Sequence, residues 1–217
     1  VDSITTVEGN VSVTAANEVT LGANTTADWD VDGTLSVTST GGTTDSTVTS
    51  DDAIVSQNDV TMSGDLVDID ANVTAQNGNI TLTGTNDVDS AASIAATTGS
   101  ITISVTNAGT AGADMVTNAA GSALSAANDI SVTADDVTVG DMTSTATGNI
   151  TLTASNDISM LGNVATTLTQ GSMTATAGGN VTIATGKSID AENDVTLTAT
   201  SGGNIVLNNA TIASTKG

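Results

Sequence analysis

The residues with most chemistry to offer in this chain are its carboxylates. Asp28-Trp29-Asp30-Val31-Asp32-Gly33 has the alternating acids and closing glycine with which a calcium loop opens. Such a loop uses hard oxygen ligands at every second position and Gly for a sharp turn. Asp28, Asp30 and Asp32 are therefore the candidate metal ligands, and calcium is the candidate cofactor; no other cofactor is expected. Ser39 stands where the loop would carry its bidentate acid. The competing reading is a plain strand with Trp29 and Val31 inward and the acids outward, which leaves like charges on one face to repel each other. Val67-Asp68-Ile69-Asp70 is a shorter echo of the same pattern. For catalysis, the acid pairs Asp51-Asp52 and Asp135-Asp136 are the material at hand. Glycoside hydrolysis needs two carboxylates at a set separation beside a sugar cleft, whereas adjacent residues of a strand face opposite sides. Without His, Cys, Tyr or Arg, most nucleophilic and acid–base arrangements are out of reach. The chain is expected not to be an enzyme, and a carboxylate-based polysaccharide hydrolase ranks last among its readings. Asn10, Asn24, Asn72, Asn79, Asn149, Asn180 and Asn209 lie in N-x-S/T sequons and are candidate glycosylation sites. A repeat written N-[VI]-T also makes sequons as a by-product.

The elements that must position these residues are repeats. Gly78-Asn79-Ile80-Thr81-Leu82-Thr83 returns as Gly148-Asn149-Ile150-Thr151-Leu152-Thr153, and Asn-Asp-Val/Ile-Thr/Ser recurs at Asn58, Asn128, Asn156 and Asn193. Strand openings with clean alternation fall at Val11, Leu35, Val60, Ile80, Ile101, Ile130, Ile150, Met173 and Val195, mostly 20 to 25 residues apart. A second set follows at Val19, Val67, Val88, Val137, Ile158, Val181 and Ile205, and a third at Ile54, Val73, Ile94, Leu124, Val164, Ile189 and Ile212. Each repeat thus holds three short period-2 strands bounded by Gly, Asn, Asp and Ser turns. A fixed period of this length marks a solenoid. The expected fold is all-β, a right-handed parallel β-helix of about nine rungs, handedness following from parallel crossovers. At roughly 4.8 Å per rung the rod would be on the order of 40 Å long. A β-sandwich array fits less well, because it needs Greek-key pairing and large core residues. One β-solenoid domain over residues 1–217 is expected, with irregular stretches near 38–50 and 107–122. The first reads as a loop or distorted rung, the second as an excursion from the wall.

Composition agrees. Trp29 is the single aromatic residue. A solenoid core of constant narrow section is filled by stacked Val, Ile and Leu, whereas a globular core uses aromatics and a membrane barrel needs aromatic girdles. No segment has the ~18 apolar residues that read as a membrane helix. The 24 acids face only Lys187 and Lys216, a net charge of −22. Nothing could neutralise phosphates, so nucleic acid and anionic membrane surfaces are excluded as partners. Asn58, Asn79, Asn128, Asn149 and Asn193 are expected to stack their amides rung on rung. The outward positions of the first strand set are Ser or Thr in every repeat, a flat hydroxyl-and-methyl sheet that resembles the faces of ice-binding β-solenoids and would also suit lateral packing of rods.

At the level of G-N-I-T-L-T-A and A-x-N-D-V-T-L-T-A, the chain resembles the repeats of filamentous-haemagglutinin-like adhesins and related autotransporter passengers. The resemblance implies a right-handed β-helix shaft, export to the cell surface, and a role in adhesion or fibre formation. The functional expectation is a non-enzymatic extracellular rod that polymerises end to end into a surface filament or forms the shaft of one. The alternative is an adhesin shaft that binds host or surface glycans, or an ice-binding solenoid. A cut β-helix end exposes unpaired backbone groups that template further pairing, and no amphipathic cap is legible at Ala213-Ser214-Thr215-Lys216. A second copy, head to tail, is therefore the expected partner.

Overall fold

The computed structural model describes residues 8–22, 29–41, 46–106, 114–117, 122–167 and 170–216. Among them there is no helix; parallel strands stack as a β-solenoid of about eight turns. Its wall has three faces, A, B and C, corresponding to the three strand sets. Face C is a nine-stranded sheet. Faces A and B share a sixteen-stranded sheet, because two strands, Val60–Ile69 and Ile80–Ser90, run around the corner from A to B without a break.

Register is kept along the length of every face. On face A, Val11, Leu35, Val60, Ile80, Ile101, Ile130, Ile150, Met173 and Val195 form one ladder. The face B ladder runs Val19, Val48, Val67, Val88, Met115, Val137, Ile158, Val181, Ile205. The face C ladder runs Trp29, Ile54, Val73, Ile94, Leu124, Met142, Val164, Ile189, Ile212. Period-2 alternation turns every second side chain of a strand into the lumen, where Ile80, Leu82, Ile101, Ile103, Ile150 and Leu152 are buried. Adjacent rungs place like residue on like, so the narrow core is filled by aliphatic columns.

Part of each irregular stretch belongs to the wall. Thr47–Ser50 is a face B strand paired with the strand before and the strand after it. Asp114–Thr117 is another, lying between Ile80–Ser90 and Asp136–Val139. The remainder of the second stretch, residues 107–113 and 118–121, lies outside the described residues.

The corners are sealed by small hydroxyls turned inward at strand ends. Ser56 Oγ donates to the Gly33 carbonyl at 2.7 Å, Ser144 Oγ to the Gly148 carbonyl at 3.0 Å, and Thr166 Oγ1 to the Gly171 carbonyl at 3.0 Å. Each is buried, and each satisfies a turn carbonyl that water cannot reach.

Candidate functional site

The solenoid distributes its polar residues over three corners and three outer faces, and each corner carries a directional ladder. The residue just before a face A strand uses its side-chain oxygen to accept the backbone N–H of its counterpart one rung on. Asn10 Oδ1 accepts from Thr34, Asp59 from Asn79 at 2.7 Å, Asn79 from Ser100, Asp129 from Asn149 at 2.8 Å, and Asn149 from Ser172. Before face B the same bond joins Asp136 to Asp157, Asp157 to Asn180, and Asn180 to Asn204. Before face C it joins Asn72 to Ser93, Asp141 to Asn163, and Asn163 to Ser188. Asp and Asn serve equally because only an acceptor oxygen is required.

The amide stack expected at Asn58, Asn79, Asn128, Asn149 and Asn193 is therefore not one ladder. Asn79 and Asn149 belong to the ladder just described. Asn58, Asn128 and Asn193 occupy the preceding position, equivalent to Gly78 and Gly148. There Asn128 Nδ2 donates to the Thr98 carbonyl and Asn193 Nδ2 to the Gln170 carbonyl.

The ladders also place the sequons. Asn10, Asn72, Asn79, Asn149 and Asn180 all engage their Oδ1 between rungs. Asn209 is exposed, with φ at 53° in a turn. Asn24 lies outside the described residues.

Of the acids in the calcium-like motif, Asp28 lies outside the described residues. Trp29–Val31 is a face C strand with Trp29 and Val31 fully buried and Asp30 exposed, and Asp32 is exposed just beyond it. No group of three acids able to hold a metal occurs among the described residues. The acid pairs split as strand geometry requires. Asp135 is buried and accepts a hydrogen bond from Ser155 Oγ, while Asp136 turns outward into the corner ladder. Asp51 is exposed and Asp52 half-buried at the corner between faces B and C.

In sequence Asp68 and Asp70 are an echo of the calcium-like pattern; their meeting with Asp89 and Asp51 on face B was not legible there. Asp68 and Asp89 sit directly opposite each other on neighbouring rungs. Burial raises the Asp68 carboxyl above its ordinary 3.8, and the carboxylates of Asp70, Asp89 and Asp51 raise it further. Like charges directly opposite on paired strands are destabilising. Because the folded state holds the Asp68 proton more tightly, the associated stability is fully present below pH 3.8 and is lost as pH rises through the raised value. Asp68→Asn is expected to raise the melting temperature at neutral pH and to lose this advantage on acidification. Solvent screening keeps the gain under about 1 kcal/mol, which is roughly 2–4 °C for a chain of this size. A melting difference that does not change with pH would overturn this account.

A shallow recess of about 530 Å³ opens at the corner between faces A and B, lined among others by Ser39, Ser46, Ser63, Asp65, Thr83 and Asn86. It offers one carboxylate among hydroxyls and an amide.

Face A is the most uniform surface. Its outward ladders read Ser12, Ser36, Thr61, Thr81, Thr102, Ser131, Thr151, Thr174, Thr196 and Thr14, Thr38, Ser63, Thr83, Ser104, Thr133, Thr153, Thr176, Thr198. None of these side chains is buried. Hydroxyls meet along the ladders, Ser63 Oγ with Thr38 Oγ1 at 3.4 Å and Thr83 Oγ1 with Ser104 Oγ at 3.5 Å.

Fold and surface together define a β-solenoid repeat protein. Compared with known proteins, the chain matches no family model, no curated protein and no solved structure.

Proposed function

We propose that this chain is a non-enzymatic structural rod, the shaft of an extracellular fibre of the filamentous-haemagglutinin-like kind that its repeats resemble. The observation that carries the reading is the unbroken register: one cross-section is repeated along all three faces and tied rung to rung at all three corners. Such a body is quasi-one-dimensional, and its length is its principal product. Asp59, Asp129, Asp136, Asp141 and Asp157 serve the corner ladders, which gives these acids a mechanical role.

In this reading a second copy, head to tail, is the partner, because a polar rod forms an open heterologous assembly and not a closed dimer. Sedimentation velocity should show association that grows with concentration, and micrographs should show rods lengthened in steps of about 40 Å. A chain that keeps one rod length at every concentration overturns self-association. Compact particles in place of rods overturn the shaft itself.

A further inference from the structure

Face A differs from the rest of the surface in a way that rod-building does not require. Among the described residues its eighteen outward positions, two per rung, are all Ser or Thr. The chain carries 24 acids, and none occupies this array. Thr is a good residue for an exposed strand, which accounts for its frequency but not for the exclusion of everything else. Face B places Glu18, Asp68 and Asp89 at its outward positions, and face C places Asp30 and Asp190 there, on strands of the same geometry. The selection therefore belongs to the face and not to the fold.

The array is a two-dimensional grid. Rungs repeat at about 4.8 Å, and the two positions within a strand are roughly 6.6 Å apart. Thr is stiff at χ1, so hydroxyls and methyls stand in rows set by the backbone. A partner that uses many equivalent points at once must itself repeat in two directions and must be neutral. A polycation would choose the acidic face B. A sugar polymer would want an outward aromatic platform, and the one aromatic residue, Trp29, is fully buried. A second copy laid face to face would sit about 10 Å away, within about one Debye length of a body carrying −22, and would strip water from hydroxyls that need partners.

A lattice of water meets each condition. It is uncharged, each surface molecule both donates and accepts, its oxygens repeat every few ångströms, and its hollows take methyl groups without asking for a hydrogen bond. We propose that face A is an ice-binding surface, with the Ser and Thr hydroxyls joining the lattice and the Thr methyls seated between its surface oxygens. The charged faces B and C keep the other sides of the rod hydrated by liquid.

The test is slow freezing of a dilute solution of the purified chain onto a seeded ice surface, followed by measurement of the protein in the ice and liquid fractions. Thr81→Tyr/Thr151→Tyr breaks the flatness of face A, and Tyr is compatible with an exposed strand. Thr138→Tyr/Thr182→Tyr makes the same change on face B. The expected result is incorporation of the parent and the face B variant into ice, with loss of incorporation for the face A variant. Melting curves and micrographs of all three chains report separately on the rod. Exclusion of the parent from ice, or equal incorporation of the face A variant, overturns the proposal. Side-by-side pairs of the parent that the face A variant no longer forms would assign the face to a second copy and would overturn it equally.

Discussion

Ile150→Asp should abolish the cooperative folding of the rungs around it. Ile150 is fully buried and lies between Ile130 and Met173 in the face A ladder. An aspartate there loses the transfer free energy of the aliphatic side chain, about 2–5 kcal/mol for truncation alone. It also places a carboxyl where no donor faces it, and a buried polar group without a partner costs a further ~1–3 kcal/mol even when it takes up a proton to avoid charge. The sum is comparable with the whole stability of an ordinary domain, roughly 5–15 kcal/mol. The measurement is a thermal melt by circular dichroism beside Trp29 fluorescence, since Trp29 is the sole fluorophore and sits in the first rung. In a quasi-one-dimensional solenoid a distant rung can outlast a local break. The dichroism should therefore lose amplitude at low temperature while Trp29 reports a separate transition. Ile150→Val should cost only about 0.5–1.5 kcal/mol. If Ile150→Asp melts like the parent, face A does not enclose the core.

Gly148→Ala should cost several times what an exposed turn substitution normally costs. A Cβ built at Gly148 falls inside van der Waals contact of the Asn128 carbonyl on the rung beneath, with the Asp129 nitrogen beside it. Both are backbone atoms, so relief requires the rungs to separate. The opening would break the neighbouring hydrogen bonds from Ser144 Oγ to the Asn128 carbonyl and from Asn149 N–H to Asp129 Oδ1. Forced overpacking costs about 1–3 kcal/mol, and each lost bond adds about 1 kcal/mol. The expected fall in melting temperature is on the order of 10 °C, at 2–4 °C per kcal/mol. Gly186→Ala is a fitting comparison: it has open space around it but a positive φ of 72°, so it meets strain of about 1 kcal/mol without a clash. A Gly148→Ala chain as stable as Gly186→Ala would show that the rungs are not in backbone contact there.

These two sites differ in how far they could be read before the fold was known. The inward place of Ile150 follows from local alternation with Thr151 and Thr153, and all nine face A openings chosen on that basis pair in register. The two-row Ser/Thr face follows from the same alternation. Gly148 looked like one more turn glycine, because the backbone that crowds it lies twenty residues away.

What the sequence by itself determined is the alternation, the approximate repeat, and hence which residues of each strand face in and which face out. Side-chain direction has a period of two within a single strand and needs no information from elsewhere. The expectation that nucleic acid is not a partner likewise rests on composition alone, because charge sums regardless of arrangement. Only the tertiary structure decided who stands above whom. The steps between face A openings range from 20 to 29 residues, so a rung neighbour depends on where the surplus residues are placed, which is a non-local choice. In sequence Val48 and Met115 fall in irregular runs and Trp29 in an acidic motif, yet with Met142 they complete the face B and face C ladders. Asn58 and Asn79 looked equivalent in composition but stand one position apart in register. The pressure on Asp68 is likewise a property of stacking: it arises from what the neighbouring turn of chain brings to within a rung spacing of about 4.8 Å.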